Sequence, residues 1–255
     1  MRFAELVAGP EAEIPLDEAA VLIAAHAHPG LDVAFVLRHL DEIAAGCPEA
    51  SLDGLIRHLF SELGFRGDTD NYGDPANSYL DDVLARRLGI PITLSVLAME
   101  VGRRLGVPLA GIGMPGHFLV RHRGKPPDFV DPFGGGQRLD EAGCEAIFRR
   151  LGGTGPFASA YLEPVGARAI LSRMLVNLQN TFLPRDLRSA TWVLQLRLAV
   201  PGLSWPERRS LARALGSLGQ FEAAGAELER LAASLSSGEA AQLKVEARAL
   251  RARAN

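Results

Sequence analysis

The segment PITLSVLAMEVGRRL, residues 91–105, constrains the fold of this chain more than any other. It is apolar for most of its length, opens on a proline suited to a first helical position and is closed by Gly106. With Glu100 and the pair Arg103-Arg104 it is too short and too charged to cross a bilayer. Protein must therefore cover it, and the rest of the chain has to supply the elements that do so.

Upstream, apolar positions recur at helical spacing over 16–26, 31–45, 51–63 and 78–88. Between the last two lies GDTDNYGDP, residues 67–75, turn chemistry throughout and expected to be an exposed loop. Downstream the texture changes to short β-type runs at 107–114, 118–121 and 128–131, with a Pro115-Gly116 turn between the first two. A helix over 139–151 follows. The predicted fold class is α+β, with helices packed on a small antiparallel sheet. From residue 168 every segment reads as helix: 168–182, 186–199, 206–216, 218–233 and 238–254. Within Ser204–Leu235, Leu215-Gly216 and Leu218-Gly219 precede Phe221, Ala223 and Ala224, a small-residue pattern resembling degenerate tetratricopeptide repeats. The GGTG stretch at 152–155 is the best linker, which predicts domains 1–155 and 156–255.

The 255 residues, 47% hydrophobic and 22% charged, suit a globular protein that folds without staples. Two cysteines far apart, Cys47 and Cys144, make neither a disulfide framework nor a zinc site. A net charge of −3 excludes a general nucleic-acid binder, which needs a basic face. The first twenty residues carry acids where a signal peptide needs an apolar core. The chain is thus expected to be cytoplasmic, with no membrane contact.

The densest signal runs from Phe60 to Gly136. In order it contains NSYL (77–80), RRLGIPITLS (86–95), GHFLVR (116–121) and DPFGGG (131–136). In these motifs and their spacing the sequence resembles the bacterial SirB-type proteins, a transglutaminase-like domain followed by tetratricopeptide-like helices. The resemblance extends over almost the whole chain. It implies a papain-like arrangement, with a cysteine at the start of a buried helix, then a histidine and an aspartate from the following strands. His117 matches the histidine, and Asp131, 14 residues on, matches the aspartate. The chemistry is general: a helix N-terminus lowers a thiol's pKa, histidine exchanges the proton and aspartate holds the imidazole. Counting back one helix length from Gly106-Val107-Pro108 lands on Pro91, and no cysteine stands between Cys47 and Cys144.

Thr93 and Ser95 are the hydroxyls near that helix start, and either is a candidate to replace the thiol. Cys144, on a helix beyond Asp131, reads as a packed residue, and Cys47 as a loop residue. Asn77, Ser78 and Tyr79 follow the turn-rich loop and are candidates to line the same site with Pro91; their plain alternative is capping the next helix. Glu100 needs a partner, with Arg103 and Arg104 at hand. No metal is expected: His117 and His122 are five apart, so strand alternation points them to opposite faces. The GGG at 134–136 lacks the lysine and hydroxyl of a phosphate loop, and no cofactor is expected. Two functions follow. One is a non-catalytic regulatory protein that binds a peptide or protein on an enzyme scaffold. The other is an amide or ester hydrolase or acyltransferase using Ser95 or Thr93 with His117 and Asp131.

Overall fold

The buried helix sits where its sequence requires. In the computed structural model, which describes residues 2–123 and 128–254, every helix and strand near it packs against it or against its neighbours. The helices in chain order are α1 (Arg2–Ala8), α2 (Leu16–Ala27), α3 (Val33–Ala45), α4 (Leu52–Ile56), α5 (Leu80–Arg86), α6 (Pro91–Arg104), α7 (Glu141–Arg150), α8 (Ala167–Phe182), α9 (Leu187–Ala199), α10 (Trp205–Ser217), α11 (Phe221–Ala233) and α12 (Ser237–Arg251). The strands are β1 (Arg66–Gly67), β2 (Leu88–Gly89), β3 (Leu109–Ile112), β4 (Leu119–His122), β5 (Asp128–Asp131) and β6 (Gln137–Leu139).

Packing divides the chain into two compact units, Arg2–Asn177 and the residues from Leu178 onward, and α8 runs through the division. The sequence places a linker earlier, at 152–155. Residues after it nevertheless belong to the first unit: Pro164 bridges Ile112, Val165 N donates to Gly111 O at 2.9 Å, and Arg168 Nε donates to Val7 O at 2.8 Å.

In the first unit α6 is surrounded by α2, α3, α4 and α5 and by β3 and β4. Ile92, Leu94, Val96, Leu97 and Val101 are all buried. The helix begins at Pro91, whose missing N–H is one that no helix start can use. Thr93 accepts from Ile90 N at 3.2 Å, and Arg103 and Arg104 complete the last turn, where cations are favoured. Glu100 is buried, and its cost is met by Arg103 Nε at 2.8 Å and Arg104 Nη1 at 3.2 Å. Both arginines also hold the buried Asp17 of α2, at 3.0 and 2.7 Å. Burial, followed by the Asp17 charge, raises the Glu100 pKa. Burial pushes Asp17 upward too, yet the Arg104 hydrogen bond and charge bring it below the ordinary value.

The sheet is antiparallel, in the order β3-β4-β5-β6. Its register pairs Gly111 with Val120, Val120 with Val130, and Val130 with Arg138. One face packs with α7 in a cluster containing Met114, Leu119, Phe129, Cys144, Ile147 and Phe148. Two expectations need correction. The loop at 67–75 is not wholly exposed: Arg66–Gly67 pairs in parallel with Leu88–Gly89, and Asp68 is buried. The helix over 51–63 is present but widens after Ile56 into a π-type turn over Arg57–Glu62.

The second unit contains α9 to α12. Leu194, Leu211, Leu215 and Ala224 form one cluster, and Ala212, Leu228, Leu231, Leu243 and Ala247 another. Among the described residues no helix is long and apolar enough to cross a membrane.

Candidate functional site

Two turns place the histidine and the aspartate. Met114-Pro115-Gly116-His117 closes with His117 N donating to Met114 O at 3.1 Å, and Gly116 has φ +77°, as a type II turn with proline before it requires. His117 is thereby delivered just ahead of β4. Asp131 ends β5, and its side chain accepts from Phe133 N at 3.1 Å while Gly136 N donates to its carbonyl at 2.9 Å. A Cβ at Gly134 would stand 2.9 Å from Asp131 Oδ2, so only glycine lets the chain pass the carboxylate this closely.

These turns bring His117 Nε2 to 2.9 Å from Asp131 Oδ1, with the two residues 5% and 2% exposed. Nε2–H donates to the carboxylate, which in the neutral imidazole leaves Nδ1 as an acceptor. Nδ1 receives no hydrogen bond from any described residue. The Phe133 ring meets the imidazole edge-on, with centroids 6.0 Å apart, and Tyr72 meets Phe133 at 5.9 Å.

The other candidates are tied elsewhere. Thr93 is buried and donates to Asn77 O at 2.6 Å while accepting from Ile90 N. Its hydroxyl is thus used to cap α6 and to fasten the preceding loop. Ser95 is buried, and its Oγ has no hydrogen-bond partner among the described residues. Neither hydroxyl is hydrogen-bonded to His117. Pro91 occupies the first position of α6. Asn77 and Ser78 do not cap α5. They lie in a 3₁₀ turn over Pro75–Ser78 whose cap is Asp74, accepting from Ala76 N at 3.0 Å. Tyr79 is the residue before α5 and stacks edge-on with His28 at 5.1 Å. Asn77 instead braces the loop, donating from Nδ2 to Asp68 Oδ2 at 3.0 Å and to Asn71 O at 2.8 Å.

Of the cysteines, Cys144 is fully buried, and burial pushes its thiol up to about 12, so it holds its proton at neutral pH. Cys47 lies in a loop, with Sγ donating to Glu49 O at 3.3 Å. His28, Asp81 and Asp82 come close enough to hold a cation. However, the imidazole already faces Asp81 through Nδ1 at 2.7 Å and Asp82 through Nε2 at 3.4 Å, which is ion-pair geometry.

Sequence reasoning missed Tyr72, Phe133 and Arg173. The first two had a legible signal, since each is an aromatic residue within turn chemistry, where a large ring is unusual. Arg173, on α8, had none: it is 56 residues from His117, and its Nη1 reaches the Met114 carbonyl that His117 N also uses only through tertiary packing.

A family profile described as the transglutaminase-like superfamily matches residues 31–176. A UPF0162 protein of Xylella fastidiosa is 41% identical over 190 residues, 68% of this chain and 66% of its own length. One from Pseudomonas aeruginosa is 38% identical over 65% of this chain and 64% of its own. The match therefore spans just under two thirds of these relatives. The mouse F-box only protein 21 is 36% identical over 50% of this chain and 21% of its own length. No solved structure matches the chain.

Proposed function

Because the chain belongs to the transglutaminase-like superfamily, we propose that it keeps the fold and the histidine–aspartate pair of that group but serves as a non-catalytic peptide- or protein-binding protein. The observation that carries the reading is the start of α6. Pro91 stands where the resemblance puts the nucleophile, and the nearest hydroxyl, on Thr93, gives its proton to Asn77 O. A base without an acid to deprotonate is still a binding group: His117 offers Nδ1 as an acceptor, beside the rings of Phe133 and Tyr72. Tyr72 is 52% exposed, and tyrosine is among the residues that dominate recognition surfaces. On this reading the relationship is to SirB-type proteins, and α10 to α12 are repeat-like. Gly216 approaches Ala224 and Leu250 closely enough to support that packing.

The test has two arms on the full chain. Hydrolysis of p-nitrophenyl esters and peptide p-nitroanilides is compared with that of the His117→Ala variant, and random displayed peptides are selected for binding. The expected result is equal background hydrolysis, and peptides whose affinity falls about tenfold or more in Tyr72→Ala. Turnover that disappears in His117→Ala would favour the hydrolase reading with Ser95 or Thr93. Failure to select any peptide, or peptides indifferent to Tyr72, would overturn the binding site.

A further inference from the structure

We propose that Arg173 seats the carboxylate of a bound peptide-like ligand beside His117. The inference deepens the reading of this site as a binding site by naming what the ligand must present.

His117, Phe133, Tyr72 and Arg173 are linked through rings and through one shared carbonyl. The Met114 carbonyl accepts both from His117 N at 3.1 Å and from Arg173 Nη1 at 2.9 Å, so the guanidinium lies next to the His117 backbone. The His117 ring touches Phe133, the Phe133 ring touches Tyr72, and burial raises the Tyr72 pKa while the Arg173 charge partly offsets the rise. The guanidinium also lies 5.6 Å from the Phe118 ring centroid, which supports its plane but leaves its donors free.

A guanidinium carries five N–H donors. Arg173 uses one on Met114 O, and among the described residues no carboxylate pairs with it. Arg197 shares this state, bonded to Gln179 rather than to a carboxylate, whereas other half-buried arginines are paired. Arg104 is held by Asp17, Asp41 and Glu100, and Arg208 by Glu227. Burial disfavours the charge of Arg173, and no ion pair among the described residues offsets that cost where it shares the Met114 carbonyl with His117 N. An anion from outside removes that cost.

The charge count selects a monoanion. A single guanidinium faces the region, and the Asp131 carboxylate is already next to His117, so a dianionic phosphate would meet repulsion that a carboxylate meets only half as strongly. The planar fork of arginine matches a carboxylate in bidentate fashion. His117 Nδ1 can accept a ligand N–H, while Phe133 and Tyr72 offer ring faces. Together these fit a carboxylate one residue from an amide and an apolar group.

The probe is hippurate (N-benzoylglycine), titrated into the full chain with the Arg173 Nε–H and the His117 ring followed by NMR. Hippuramide removes only the charge, the α-amide of N-benzoylaspartate moves the carboxylate to a side chain, and inorganic phosphate tests for any oxyanion. Saturable shifts with hippurate, about tenfold or more weaker with hippuramide, are expected. Arg173→Gln should lose binding by the same factor at an unchanged melting temperature, and Arg173→Lys should lose less, because it keeps the charge without the fork. Tighter binding of the aspartyl probe would identify the source as an acidic side chain and that of hippurate a chain terminus; both support the seat. Equal binding of acid and amide, tighter binding of phosphate, or hippurate binding unaffected in both Arg173 variants would overturn it. Should His117-dependent hydrolysis appear, the non-catalytic reading falls while the acid-over-amide preference, then read as competitive inhibition, still decides the role of Arg173.

Discussion

Thr93→Val is the sharpest single test of how the start of α6 is built. Valine keeps the shape of threonine and deletes the hydroxyl, which donates to Asn77 O at 2.6 Å and accepts from Ile90 N at 3.2 Å. A buried hydrogen bond contributes about 0.5–1.5 kcal/mol net, so losing two should cost about 1–3 kcal/mol. The lower half of that range is expected, because Ile90 N and Asn77 O keep a bond to each other at 3.3 Å and neither is fully orphaned. In a chain of this size each kcal/mol lowers the melting temperature by about 2–4 °C. Thr93→Ser keeps the hydroxyl and loses one buried methyl, about 1 kcal/mol. The two variants are therefore separated by local amide exchange rather than by total stability. The Ile90 amide should exchange markedly faster in Thr93→Val and stay protected in Thr93→Ser. Urea titration by far-ultraviolet circular dichroism reports the stability, since both tryptophans, Trp192 and Trp205, lie in the other unit. A Thr93→Val protein as stable as wild type, with Ile90 still protected, would refute the capping role and return the hydroxyl to the list of available nucleophiles.

Two further outcomes are expected. Ellman's reagent should titrate Cys47 alone in the native protein and both thiols after unfolding, because Cys144 is fully enclosed; two native thiols would contradict that burial. Asp68→Asn should remove an acid-sensitive contribution to stability. Hydrogen bonds from Asn71 N and Asn77, with the Arg86 charge, outweigh burial and hold the Asp68 pKa below its ordinary 3.8. The stabilisation is therefore complete above that value and lost as pH falls through the lowered one, so the gap between wild type and variant in urea midpoint should close from about pH 5 to about pH 2. A gap independent of pH would show that the carboxylate charge is not what braces the loop.

What could be read from the residues, and what could not, divides by range. The buried α6, the helices on either side and three of the four sheet strands follow from local periodicity and from Gly106 and Pro115-Gly116, because each signal involves residues within one or two turns of one another. The pairing of His117 with Asp131 was accessible through the resemblance to transglutaminase-like proteins, which implies a histidine and an aspartate from successive strands. The strand Gln137–Leu139 was not seen, because three residues beside a glycine run carry no periodicity of their own and are paired only by Phe129–Asp131. The same holds for Arg66–Gly67, which becomes a strand because Leu88–Gly89 lies alongside.

For the site the division is sharper. From the sequence came the absence of any cysteine between Cys47 and Cys144, while the resemblance to transglutaminase-like proteins implied that His117 and Asp131 pair. Only tertiary structure decided that Thr93 gives its proton to Asn77, that Glu100 shares Arg103 and Arg104 with Asp17 of a distant helix, and that Arg173 reaches Met114 O. A hydrogen bond or an unpaired charge is a property of where two groups end up, and side chains far apart in the chain meet only when the core between them has packed.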